Sequence, residues 1–251
     1  MMQVTSEIPL VSYLGETCGE ADLGFTHMIA TVMFTDIEDS TGLAKALGVT
    51  GIARFLKHHC ALAGRVVTAH HGTFLGCTGD GVLAFWGNAL PRHAMPARLA
   101  LLAAAELGYW ITEENAHRRA AGLATRRVRI GLHSGEVAVE QDGGCGGLPR
   151  IYGATAHDAR RVEQAGKGVD AAGKDVVVMA SQATLRLAAL DPEPIRGVVR
   201  QAPARGCASC SECYPVLVDP DAILAAQPGD PACLAVLSAL WSREAGRKSV
   251  E

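Results

Sequence analysis

Two aspartates carry the clearest chemical signal in this chain. Asp36 follows the apolar run Ile29–Thr35 (IATVMFT), and Asp80 sits between glycines in Thr78-Gly79-Asp80-Gly81. A carboxylate at the end of an apolar strand is well placed to hold a cation, because the strand is rigid and its end opens to solvent. Glycines beside the second carboxylate let backbone approach a bulky anion. Two carboxylates completed by phosphate oxygens suit Mg²⁺ or Mn²⁺, which keep few protein ligands. Cations held there could lower the pKa of a 3′-hydroxyl, orient an α-phosphate and neutralise leaving pyrophosphate. Ser40 and Thr41, at a helix start just beyond Asp36, add backbone N–H groups for phosphate. Taken singly, each aspartate also reads as a helix cap or a turn residue.

The elements that must position these groups follow from periodicity and punctuation. Ile29–Thr35 is a β-branched and aromatic run, read as a buried strand. Asp39, Ser40 and Thr41 offer N-caps for a helix over Gly42–Leu47, and Ile52 to His70 keeps helical spacing. Thr73–Cys77 and Val82–Trp86 read as a hairpin turning at Gly79–Gly81, which places Asp80 beside the end of the Asp36 strand. An Ala-rich helix runs from Pro91 to about Arg119. Arg127–His133 and Glu136–Glu140 are strands, Gln141–Pro149 a glycine-rich loop, and Tyr152–Gln164 a helix. Asp175–Met179 is a strand, Ser181–Leu190 a short helix, and Ile195–Val199 with Tyr214–Val218 a closing β-pair. This order predicts an α+β sandwich, a sheet with helices on one face.

The bulk numbers agree with one sizeable domain plus appendages: 251 residues, 49% hydrophobic, 20% charged. Aromatics are scarce at 5%, so the core must be mostly Ala, Val, Leu and Ile. A net charge of -3 argues against a dedicated nucleic-acid or membrane-surface binder. No apolar run is long enough to span a membrane. Residues 1–24 lack the basic and apolar regions of a signal peptide, so the expected location is cytoplasmic. The eight cysteines are scattered, and most read as reduced thiols.

Three ordered motifs carry a resemblance. Phe34-Thr35-Asp36-Ile37-Glu38-Asp39-Ser40-Thr41, then Thr78-Gly79-Asp80-Gly81, then Arg129-Ile130-Gly131-Leu132-His133-Ser134-Gly135-Glu136-Val137 resemble the class III adenylyl/guanylyl cyclase family, from about residue 28 to residue 218. The resemblance implies a ferredoxin-like α+β core with a mixed sheet, forming a head-to-tail homodimer with shared active sites. It divides the chain into an N-terminal extension (1–27), a catalytic domain (28–219) and a helical C-terminal extension (220–251). It implies attack of a 3′-oxygen on the α-phosphate of a nucleoside triphosphate, giving a 3′,5′-cyclic nucleotide and pyrophosphate. Asp36 and Asp80 match the aspartates that hold two Mg²⁺ or Mn²⁺ ions, and the Ile37 carbonyl matches a further metal contact. Arg161 falls on the family's transition-state arginine, where a guanidinium stabilises charge on the α-phosphate. His157 falls where the family has Asn, and Arg196 resembles a basic residue near the triphosphate. His157 and Arg161 also read as a solvated helix face.

The chain departs from the family's base-recognition pair. The Lys position falls on Gly76 and the Asp position on Arg150. An Asp accepts from the adenine amino group, whereas Arg only donates and prefers an oxo-bearing base edge. Arg150 also reads as a plain loop cation. Some short bacterial cyclases that lack the pair make cyclic UMP or cyclic CMP in antiphage defence, and this chain is similar to them. A catalytically degenerate, nucleotide-binding regulatory dimer is a second alternative. Lastly, Cys207, Cys210 and Cys213 form a C-x₂-C-x₂-C run in the insertion 206–213. Three thiolates and a fourth ligand could hold Zn²⁺. Without a paired motif the run equally reads as ordinary thiols in a loop.

Overall fold

The computed structural model describes residues 25–87, 95–141, 147–168, 174–190 and 213–216. The strands are β1 (Phe25–Ile37), β2 (Thr73–Thr78), β3 (Gly81–Trp86), β4 (Val128–Glu140), β5 (Arg150–Tyr152), β6 (Val176–Ser181) and β7 (Cys213–Val216). The helices are α1 (Ser40–Ala69), α2 (Pro96–Ala120), α3 (Ala154–Ala165) and α4 (Gln182–Leu187). One mixed sheet runs in the order β2-β3-β1-β4-β6-β7, with β5 paired to β4. Among the described strands, only β4 and β6 pair in parallel.

β1 begins at Phe25, inside the segment expected as an extension, because its first residues pair with the far end of the long β4. α1 bends at Gly48, whose φ of 68° and ψ of 173° are not helical; this is the break expected between residues 47 and 52. β5 takes Arg150–Tyr152 from the expected loop and helix, and α3 starts only at Ala154. The closing strand expected over 195–199 and the tail 224–251 lie outside the described residues.

The pleat sorts β4 into two faces. Val128, Ile130 and Leu132 join Met33, Ile37, Val82, Trp86, Leu101 and Leu107 in the main core under α1 and α2. Alanines 97, 100, 103, 104 and 105 of α2 are buried, so the helix lies close to its neighbours without bulky side chains. Arg129, Gly131 and His133 point the other way, toward α3. A Cβ on Gly131 would sit 2.2 Å from the Glu163 backbone nitrogen and 2.5 Å from the Ala159 carbonyl oxygen, so only glycine lets α3 pack this closely. The two long helices share one face, but α3 covers the opposite one, whereas the order of elements in the sequence predicts helices on a single face.

Among the described cysteines, one pair is oxidised rather than reduced. Cys60 on α1 is joined to Cys77 on β2, with Cα atoms 6.2 Å apart. α1 lies over β2 and brings together thiols 17 residues apart, which no local spacing announces.

Candidate active site

Asp36 and Asp80 meet because the β2–β3 turn is fastened to the end of β1. The Val82 amide donates to Thr35 Oγ1 at 3.0 Å. A Cβ on Gly81 would lie 2.3 Å from the Thr35 carbonyl oxygen, so a glycine is required where the turn crosses β1. Burial raises the Asp36 carboxyl above its ordinary pKa; Arg129 opposes this and the charge of Asp80 adds to it. A divalent cation held there would relieve the cost of ionising Asp36 beside a second carboxylate. Among the described residues no three His, Cys, Asp or Glu side chains cluster as a metal site. A Mg²⁺ or Mn²⁺ ion completed by substrate phosphates needs no such cluster. Ile37 is 2% exposed, so its contribution there could only be its backbone carbonyl.

Arg129 was not singled out from the sequence, yet it lies at the centre of this site. It stands directly across from Asp36 in the β1–β4 register and is ion-paired with it. Its Nε donates to Glu163 Oε1 at 2.6 Å, from the buried side of α3. Burial raises the Glu163 carboxyl, and the hydrogen bond from Arg129 pulls it back. The available signal was an arginine on the same strand face as Gly131 and His133, a face too polar for core and too regular for surface.

α3 crosses β4 with further polar contacts. Arg161 Nη1 donates to Asp158 Oδ1 at 2.9 Å, and Asp158 Oδ2 lies 3.9 Å from His133 Nε2. His133 Nδ1 is 2.9 Å from Ser181 Oγ. Burial lowers the pKa of His133, and Asp158 partly restores it. His157 is on the exposed side of the helix. The structure thus places Arg161 and His157 on one helix, whose Arg160 acts electrostatically on Asp36.

Residues 26–200 match the adenylate and guanylate cyclase catalytic domain. The chain belongs to this cyclase family. Adenylate cyclase 1 of Rhizobium meliloti (strain 1021) is 33% identical over 190 residues, covering 68% of this chain. The chain spans 28% of the length of that relative. The adenylyl cyclase CyaB from P. aeruginosa has the same fold, with a TM-score of 0.62 at 20% identity over 78% of this chain and 97% of that one. The guanylate cyclase domain of RhGC from Catenaria anguillulae, in complex with GTP, gives 0.59 at 18% over 77% and 98%.

Gly76 lies at a register shift in β2 with φ of 118°, where a lysine would be strained. Arg150 opens β5, exposed and paired in register with Glu140. Ser40 and Thr41 begin α1, which Asp39 caps by accepting from the Gly42 amide at 3.1 Å. Arg196, Cys207 and Cys210 lie outside the described residues. Cys213 is buried on β7 among Val162, Ala165, Val177 and Met179, packed as a core side chain. A groove of about 560 Å³ between α1 and α2, lined by His58, Leu62, Trp110, Glu114 and Arg118 among others, holds none of the residues above. No helix of the described residues is long and apolar enough to cross a membrane.

Proposed function

We propose that this chain is a metal-dependent nucleotidyl cyclase, a phosphorus–oxygen lyase acting as a cytoplasmic head-to-tail homodimer with shared sites. The observation that carries this reading is the approach of Asp80 to Asp36 at the end of β1, where the Asp80 charge acts on Asp36 and Arg129 pairs with Asp36. The 3′-oxygen of a nucleoside triphosphate attacks the α-phosphorus, its proton passes to solvent, and the bond to the β-phosphate oxygen breaks to release pyrophosphate. Asp36, Asp80 and the Ile37 carbonyl would hold Mg²⁺ or Mn²⁺, which supplies charge neutralisation and a more acidic 3′-hydroxyl. Arg129, anchored by Glu163, offers its other edge to Asp36 or to substrate phosphate. The amides of Ser40 and Thr41 lie at a helix N-terminus suited to the same anion. Arg196 would add a cation near the triphosphate. The partner's α3 presents an arginine for charge building on the α-phosphate and a histidine donor, the roles assigned to Arg161 and His157.

The base reading rests on Gly76 and Arg150. A glycine at positive φ leaves the usual lysine absent, and an exposed guanidinium offers donors only. ATP should therefore not be strongly preferred over UTP or GTP, and a pyrimidine cyclase of an antiphage system is the specific alternative. Incubation with Mn²⁺ and each of the four triphosphates, with products identified by mass, decides the base; activity with ATP alone would overturn this part. Asp36→Ala should lower turnover at least about 10²-fold with the fold intact by circular dichroism. Full turnover would remove the two-aspartate mechanism, and no turnover in the parent chain would favour the regulatory dimer.

A further inference from the structure

We propose that the Cys60–Cys77 disulfide is a thiol–disulfide exchange site, opened by dithiols, that couples redox state to the nucleotide site; the proposal rests on the cyclase reading of Gly76 and Asp80. Disulfides in a reducing compartment are usually transient and sensing, and exposed ones are the labile kind. Cys77 is exposed and Cys60 half-buried. A dithiol therefore attacks the Cys77 sulfur. The S–S bond breaks, a mixed disulfide forms, and Cys60 leaves as a thiolate that takes a proton. The second thiol of the reductant then closes its own disulfide and releases the Cys77 thiol. The chain gains two electrons and two protons, and the dithiol is oxidised.

The crosslink sits where β2 is most weakly held. Among the described strands β2 lies at the sheet edge and pairs with β3 alone. Its register shifts between Phe74 and Gly76, and Gly76 has a φ of 118°. Phe74, beside Gly64 of α1, is the last residue of β2 in the main core. Past the shift three pairs follow: Gly76 with Leu83, Cys77 with Val82, and Thr78 with Gly81. Residues 76–80 are all half-buried or exposed.

This stretch carries Gly76 at the base position and runs into the turn that presents Asp80. The disulfide fastens its middle to α1, the helix that begins with Ser40 and Thr41. A short, exposed ladder beyond a bulge opens locally at little cost once such a tie is cut. The Val82 amide stays bonded to Thr35, so β3 keeps its place while the end of β2 loosens. Reduction thus acts first on Gly76 and on the arm of the turn that leads into Asp80.

The test compares the full chain, oxidised and after dithiothreitol, with the Cys60→Ser, Cys77→Ser double variant. Turnover is read with Mn²⁺ and the triphosphate of highest activity, at a temperature where circular dichroism shows every form folded. Reduction should lower the parent's kcat/KM at least about fivefold, and re-oxidation should restore it. The double variant should match the reduced parent and ignore dithiothreitol. Linkage requires the reverse effect. Mn²⁺ with a 3′-deoxy triphosphate, which has no attacking hydroxyl, should raise the ratio of reduced to oxidised dithiothreitol that opens half the disulfide, again at least about fivefold. This second readout needs neither turnover nor a folded variant. Unchanged kcat/KM in a parent whose Cys60 and Cys77 are shown free by alkylation and mass overturns the proposal. So does a double variant that still responds to dithiothreitol, or an exchange equilibrium indifferent to nucleotide. Protection by nucleotide in a chain without turnover in either state supports the coupling and overturns the cyclase reading alone.

Discussion

The two faces of the sheet are made by the same strands, but the face under α3 adds charged and hydrogen-bonded contacts to its apolar clusters. Under α1 and α2, β1, β3, β4 and β6 contribute Met33, Ile37, Val82, Trp86, Ile130, Leu132, Val178 and Ala180 to one apolar cluster. Under α3, alternate residues of β4 offer Arg129, Gly131, His133 and Gly135, met in turn by Glu163, Ala159, Asp158 and Thr155. Apolar burial is roughly proportional to area and indifferent to orientation. Charged and hydrogen-bonded contacts fix angles and are costly when one partner is lost. The first face holds the domain together, and the second sets side chains at the site.

The largest expected effect tests the α3 face. Arg129 and Glu163 are both buried, so Glu163→Gln removes the buried charge facing the guanidinium and leaves it Asp36 and, at 4.0 Å, Glu38. Loss of one partner of a buried pair costs about 3–5 kcal/mol. Urea unfolding should show a midpoint shift of that size with an unchanged slope. Turnover should fall as well, because Arg129 then bonds Asp36 without its second anchor. A variant with parental stability and turnover would mean that α3 is held by Ala159, Val162 and the Gly131 contact alone, and the contrast between the faces would disappear.

The apolar face was largely legible in the sequence, and the α3 face was not. Periodicity finds strands and long helices because burial repeats every two or 3.6 residues, and the β2–β3 turn announced itself through Gly79 and Gly81. Hence the meeting of Asp36 and Asp80 could be foreseen from two strand ends and one turn. β5 is three residues long, too short to leave a pattern, and the start of α3 was misplaced with it. His59 is 1% exposed, and a histidine on an amphipathic helix gives no sign in the sequence of which way it points. Arg129 and Glu163 gave no sign of burial, because it depends on partners distant in sequence, 34 residues between the two and 93 between Arg129 and Asp36. A glycine such as Gly131 is informative only once the helix above it is known.

A smaller effect is expected at the edge of the apolar face, where one covalent link does what packing does elsewhere. The Cys60–Cys77 bond ties α1 to β2, the strand that leads through Gly76 to Asp80. A crosslink closing a loop of this length stabilises by about 3 kcal/mol, chiefly by restricting the unfolded chain. Cys60→Ser with Cys77→Ser should lower stability by that amount, and a reductant should destabilise the parent chain but not the double variant. Equal unfolding midpoints with and without reductant would show that the apolar core alone holds β2 in place.

The smallest effect probes the polar exception inside the apolar face. His59 on α1 is buried with neither ring nitrogen hydrogen-bonded, beside Arg126, whose Nε and Nη1 are also without partners. Burial, helped by the Arg126 charge, lowers its pKa from 6.5 to about 4. The folded state therefore keeps the ring neutral while the unfolded chain protonates it. Stability is complete above pH 6.5 and is lost as pH falls toward 4, by about 2 kcal/mol at pH 5. His59→Leu should flatten that part of the stability profile between pH 6.5 and 5, while Glu163→Gln should leave it in place. A parent chain whose stability does not fall across this window would mean that His59 finds a partner or a proton within the core, and that the apolar face is less strictly apolar than its packing indicates.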